Sequence, residues 1–195
     1  MAVRSDQSRR AILDATMALL EEGHPDALTV QRLSIERIAR DAGVSKTTIY
    51  RWWSSKVAVV IDTFLDNHIA RTRVRDDLPA VEALGEHVSS LAAIYGGHEG
   101  QLIAQLIAEC QYDDQAMREF KERFWNQRQS LVQELLERAQ AEGSVRADIP
   151  PSVSAEVLYA PLYFRLLLRT GPMDRASVGL LLRAGLEGIR TTAAA

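Results

Sequence analysis

The sequence predicts an all-α protein of about nine helices, a short N-terminal three-helix domain joined to a larger helical bundle. Three observations predict it. Apolar residues recur at helical spacing along the chain, and no stretch keeps the period-two alternation of a half-buried strand. Glycine and proline fall where helices stop and start, at Gly23 with Pro25, Gly43, Gly143, Pro150-Pro151 and Gly171-Pro172. At 195 residues the chain can bury its own core without a staple. Its single cysteine, Cys110, excludes an internal disulfide framework and fits a reducing compartment.

The first helix is expected from about Ser8 to Glu22, with Ile12, Ala15, Leu19 and Leu20 on one face and Gly23 as its stop. Residues His24 to Arg32 are open to two readings, because Thr29-Val30 and Ser34-Ile35 both look like helix entries. A second helix spans Ser34 to Ala42, a third Ser45 to Trp52 and a fourth Ser55 to about Arg75. Further helices are expected over Pro79–Tyr95, Gln101–Gln111, Gln115–Glu142, Pro151–Arg169 and Asp174–Arg190. Gly96 to Gly100 reads as a flexible loop, with no preceding strand to make it a phosphate cradle. Thr191 to Ala195 reads as a frayed tail. The domain boundary is placed after Lys56, giving domains 1–56 and 57–195.

Charge does not decide the function. The whole chain carries −3, but residues 1–56 hold nine Lys/Arg against seven Asp/Glu and the remainder carries −5. The basic excess is N-terminal and modest, short of the strongly basic surface usual in a DNA binder. The stretch Met1 to Arg10 is polar, without the apolar core of an export signal. The longest apolar run, Val157 to Phe164, stops at Arg165, too short for a membrane span. A cytoplasmic location and no membrane partner are therefore expected.

The segment around Gly43 has the parts of a helix-turn-helix. Ala39 lets the next helix cross closely, Gly43 supplies a positive backbone angle, and Val44 packs under the turn. Ser45 caps the third helix and Ile49 points back to the core. Lys46, Thr47, Thr48, Tyr50 and Arg51 then face outward, a set of short hydrogen-bonding and cationic side chains that fits a major groove. Trp53 is expected inward; Trp52 could lie on either side. Among N-terminal arginines, Arg9 and Arg10 are candidates for phosphate or minor-groove contact, and Arg4 reads as solvated.

From Leu33-Ser34-Ile35-Glu36-Arg37-Ile38-Ala39-Arg40 through Asp41-Ala42-Gly43-Val44-Ser45-Lys46-Thr47-Thr48-Ile49-Tyr50-Arg51-Trp52-Trp53-Ser54-Ser55-Lys56, the sequence resembles the DNA-binding signature of the TetR/AcrR transcriptional regulators. The rest is similar to that family's C-terminal domains in length and helix count, and Leu158 to Leu168 resembles one of its subtypes. The resemblance implies that Lys46, Thr47, Thr48 and Tyr50 contact double-stranded operator DNA and that Lys56, at the start of the fourth helix, binds a phosphate. With Ser45 and Arg51 these make the candidate DNA-binding set. The segment from Gly23 to Leu33 is longer than in the family, so either the loop is lengthened or the second helix starts earlier.

Val157 to Leu168 is apolar on nearly every side, and the last helix repeats Val178, Leu181, Leu182, Gly185, Leu186 and Ile189 along one stripe. Close approach at Gly179, Gly185 and Gly188 would offset their helix-propensity cost of about 1 kcal/mol each. A homodimer through the last two helices is expected, with two reading heads about 34 Å apart on a roughly palindromic operator. A small-molecule effector of unspecified chemistry is expected in the C-terminal domain. Its candidate lining groups are Tyr95, Cys110, Tyr112, Phe124, Trp125, Tyr159 and Tyr163, residues that suit an ordinary core equally. Pro161 is expected to kink its helix. No enzyme activity, metal or cofactor is expected, because His24, His68, His87 and His98 show no metal-ligand spacing and no nucleophile elbow is present. Repression and activation are not separable at this level.

Overall fold

The computed structural model describes residues 2–21, 23, 27–68, 72 and 74–189, and of residues 2–5, 67 and 68 the backbone alone. Helix starts follow their caps. Ser34 Oγ accepts from Arg37 N at 3.2 Å and opens α2 (Ile35–Asp41). Ser45 Oγ accepts from Thr48 N at 3.1 Å and opens α3 (Lys46–Tyr50). The preceding α1 runs Ala2–Leu20, and the α1–α2 connection stays non-helical from Ala27 to Ser34, so the lengthened-loop reading holds. Gly43, between α2 and α3, has φ 65°, the left-handed value that the turn requires and that a side chain would strain.

Next come α4 (Lys56–His68), α5 (Ala80–Tyr95) and α6 (His98–Cys110). The fourth helix is shorter than expected: Val74 to Pro79 is not helical, and the stretch between lies largely outside the described residues. The sixth begins earlier than expected, because His98-Glu99-Gly100 is its first turn and no loop. A Cβ on Gly100 would clash with the Tyr95 carbonyl oxygen, so the glycine permits a close backbone approach where α5 hands over to α6. Then follow α7 (Asp114–Phe120), a π-helical turn (Lys121–Trp125), α8 (Asn126–Ala141), α9 (Pro151–Leu168) and α10 (Arg175–Ile189). Counting α7, the π turn and α8 as one uninterrupted stretch, the described residues form nine helices and no extended strand.

Contacts gather the chain into two compact units, Met1–Ile69 with Leu102–Trp125, and Ala70–Gln101 with Asn126–Ala195. This differs from a boundary after Lys56. Val57 to Ile61 is buried on every side, and α4 packs on α1 and α7, so α4 and the 102–125 stretch belong with the N-terminal helices. In the first unit the core includes Ile12, Leu19, Ile38, Ile49, Trp53 and Phe64, and Phe120 and Phe124 stack at 5.2 Å. In the second, α5, α8, α9 and α10 pack on one another over Leu84, Leu91, Leu136, Leu158 and Leu162. Helix α9 continues through Pro161, whose missing N–H leaves the Val157 carbonyl without its intrahelical donor. Among the described residues no helix is long and apolar enough to cross a membrane.

Candidate nucleic-acid interface and effector region

The reading segment is built by burying one side of a five-residue helix. Ile49 is fully buried and Trp53 nearly so, while Lys46, Thr47, Tyr50 and Arg51 are exposed and Thr48 is half-buried. Tyr50 is 54% exposed, with its ring outside the core. Ser45 and Thr48 fix each other's hydroxyls at 2.8 Å, which orders the start of the face. Trp52 lies between the two expected positions, half-buried against the core.

Two lysines in this segment stand in different environments. Lys46 Nζ meets Glu36 at 2.9 Å, and their mutual hydrogen bond raises the lysine pKa and lowers that of the carboxyl. Both groups are solvated, so the pair is weakly held and the cation can be transferred to another anion. Lys56 is turned inward. Its ammonium donates to the carbonyls of Val30 (2.9 Å) and Gln31 (3.3 Å) and pairs with Glu109 at 3.5 Å.

Sequence reasoning missed the groups that fasten α3 to its neighbours. Asp62, on α4, accepts from Trp53 Nε1 at 2.8 Å and from Arg123 at 3.3 Å, with Arg9 at 3.6 Å. Arg9, a candidate DNA contact, is thereby held on the first unit's own surface, its guanidinium 6.0 Å from the Trp53 ring centroid. Glu119 accepts from the hydroxyls of Ser54 and Ser55 at the start of α4, and Ser55 Oγ also caps Ala58 N at 3.1 Å. Partial burial pushes the Glu119 carboxyl up, but hydrogen bonds from Ser54, Ser55 and Gln115 and the charge of Arg123 together outweigh it and hold the pKa down. A faint signal existed: Asp62 is the lone acid in the apolar run Val57–Leu65.

The seven expected effector residues divide between the two units. Cys110, Tyr112, Phe124 and Trp125 belong to the first unit, Tyr95, Tyr159 and Tyr163 to the second. Tyr112 is 93% exposed, on a turn between α6 and α7. Cys110 is buried, and burial with the carboxylates of Asp113, Glu109 and Glu119 pushes its thiol up to about 11, an inert side chain. The second unit's three tyrosines cluster. Tyr95 and Tyr163 hydroxyls lie 2.9 Å apart with rings edge to face at 5.5 Å. Tyr159 Oη lies 2.7 Å from Nδ1 of His87, a residue left out of the expected set. Burial raises the pKa of all three phenols, so they are neutral. His87 was visible in principle, on the same face of α5 as Leu84, Leu91 and Tyr95. Among the described residues no three His, Cys, Asp or Glu side chains stand together as metal ligands.

An all-α chain with a capped, glycine-turned helix pair presenting polar and cationic groups defines a helix-turn-helix DNA-binding protein. Residues 12–63 match the family model for bacterial regulatory proteins of the tetR family, and residues 74–184 that for the tetracyclin repressor-like C-terminal domain. The chain is 34% identical over 191 residues to the HTH-type transcriptional regulator YdeS of Bacillus subtilis, covering 98% of this chain and 94% of that one. It superposes on the TetR family transcription regulator SCO0332 with TM-score 0.79 and 28% identity, over 95% of this chain and 100% of the other. The flavonoid-responsive regulator FrrA shares the fold, with TM-score 0.67 at 19% identity over 96% and 100% of the two chains. This chain belongs to the TetR family and is a helix-turn-helix transcriptional regulator.

Proposed function

We propose that the protein is a ligand-responsive repressor that binds a roughly palindromic operator as a homodimer and is released by a small molecule. The observation that carries this reading is the division of the segment from Lys46 to Trp53, with Ile49 and Trp53 inside and Lys46, Thr47, Tyr50 and Arg51 outside. Thr47 and Thr48 are the proposed base readers, through their hydroxyls and methyl groups; Lys46, Tyr50 and Arg51 are the proposed phosphate contacts. Ser45 sets the Thr48 hydroxyl. The dimer reading is supported by one face of α9, where Val153, Val157, Phe164 and Leu168 are all more than two-fifths exposed in the single chain. Leu180 on α10 is exposed as well, at 61%. A second copy related by a two-fold axis covers such a face and spaces two reading heads along the duplex.

The effector is proposed to act in the second unit, at the buried His87–Tyr159 pair and the partly buried Tyr95–Tyr163 pair, where a few oriented polar atoms lie together. It releases DNA by favouring a conformation whose reading heads no longer match the half-sites. The test is binding to the duplex upstream of the protein's own gene at two salt concentrations. A specific complex weakened by salt is expected. Failure to retain any duplex at low salt, in a selection from a random-sequence library, overturns the reading. Tyr50→Phe is expected to weaken the complex; unchanged affinity removes its hydroxyl from the contacts.

A further inference from the structure

The stretch between α1 and α2 is non-helical from Ala27 to Ser34, and its backbone is fastened at nearly every described position. Leu28 N donates to Leu19 O at 2.8 Å and Leu33 N to Thr29 O at 3.0 Å. The most buried point is Val30, fully inaccessible. Its N–H donates 2.9 Å to the Oε1 atom of Gln105, a residue of α6 distant in sequence. Its carbonyl, with that of Gln31, accepts from Lys56 Nζ. Glu109, one turn beyond Gln105 on α6, takes the third side of the same ammonium at 3.5 Å.

An ammonium has three N–H donors, and here each faces an acceptor. Lys56 is only 22% exposed at its side chain, and its charge is balanced by a carboxylate of comparable burial. Moving it onto a DNA phosphate would strip two loop carbonyls of their donor and leave Glu109 unpaired. We infer that Lys56, Gln105 and Glu109 are positioning residues that hold the α1–α2 segment against α6 and thereby fix where α2 and α3 present themselves, and that Lys56 makes no phosphate contact. The inference rests on the DNA-binding reading above for its consequence, and on the first unit alone for its geometry. Gln105 serves as a surrogate backbone acceptor, and Lys56 as a surrogate donor, for a loop too irregular to satisfy itself.

Two measurements on the full chain test it. The first uses no DNA. Amide exchange at Val30 is expected to speed up by about tenfold in Gln105→Leu, which leaves that buried N–H without an acceptor. Lys56→Met is expected to speed exchange across Val30 to Leu33 by a similar factor. Amides of α8, α9 and α10 are expected to be unaffected in both variants. Gln105→Glu, which keeps an acceptor oxygen, is expected to restore the wild-type rate at Val30. Unchanged exchange in Gln105→Leu, or no rescue by Gln105→Glu, overturns the clamp. The second uses the duplex that wild type selects from a random-sequence library. Gln105→Leu and Lys56→Met are each expected to lower affinity about 3- to 10-fold with the wild-type salt slope kept. A slope flattened by about one unit in Lys56→Met alone identifies a phosphate contact and overturns the assignment. If wild type selects no duplex, the function fails while the exchange result still judges the clamp.

Discussion

His87 shows how one buried side chain ties stability to pH. It is 5% exposed, bonded through Nδ1 to Tyr159, and burial, followed by the charge of Arg128, lowers its pKa to about 4. In the unfolded chain the imidazole titrates near about 6.5. As pH falls, the unfolded state therefore takes up a proton before the folded state does. Stability from this site is intact above about pH 6.5 and is lost between there and about pH 4, roughly 2 kcal/mol of it by pH 5. The expected outcome is a lower denaturation midpoint at pH 5 than at pH 7. His87→Asn, which keeps a polar atom toward Tyr159 but does not titrate, is expected to flatten that difference. An equal pH dependence in the variant would assign the effect to other groups.

At the scale of elements, α4 organises the first unit through Asp62. Its carboxylate takes the Trp53 indole N–H at the end of the reading segment and two arginines, Arg123 from the π turn and Arg9 from α1. Asp62→Ala leaves a buried indole N–H without an acceptor and is expected to cost about 2 kcal/mol, read as a lower urea midpoint. A change within a few tenths of a kcal/mol would mean that the network is decorative. The helices themselves were legible wherever caps and breakers coincided: Ser34, Gly43, Ser45 and Gly143 end or begin elements as their chemistry dictates. Legibility failed at Gly100, because a glycine needed for close approach looks in sequence like one needed for flexibility. It failed again at Lys121–Trp125, where a π turn interrupts an unbroken helical pattern. The outward face of α3 could be read from its period, but Gln105, Glu109 and Glu119, which join distant parts of the chain, have no local signal.

For the whole molecule, the proposed dimer makes the sharpest claim. The last helix's apolar stripe proves to serve the subunit: Val178, Leu182, Leu186 and Ile189 are buried in their own unit. Gly185 lets α10 approach Leu158 of α9, whereas among the described residues nothing stands over Gly179 or Gly188. The proposed partner surface is the other side of α9, centred on Phe164 at 56% exposure and Leu168 at 61%, together with the exposed Leu180 of α10. Phe164→Glu is expected to halve the mass measured by light scattering while leaving the helical circular dichroism unchanged; a retained dimer would place the interface elsewhere. Sequence alone located the apolar helices but could not apportion their faces between core and partner, since both demands select the same residues.

The two compact units also differ in colour. All three tryptophans, Trp52, Trp53 and Trp125, fall in the unit that carries the reading head, while the clustered phenols Tyr95, Tyr159 and Tyr163 fall in the other. Red-edge excitation therefore makes the indoles a built-in optical reporter carried by the first unit. A compound that binds among the phenols and alters indole emission without touching it would reveal, in unlabelled protein, that an event in one unit has reached the other.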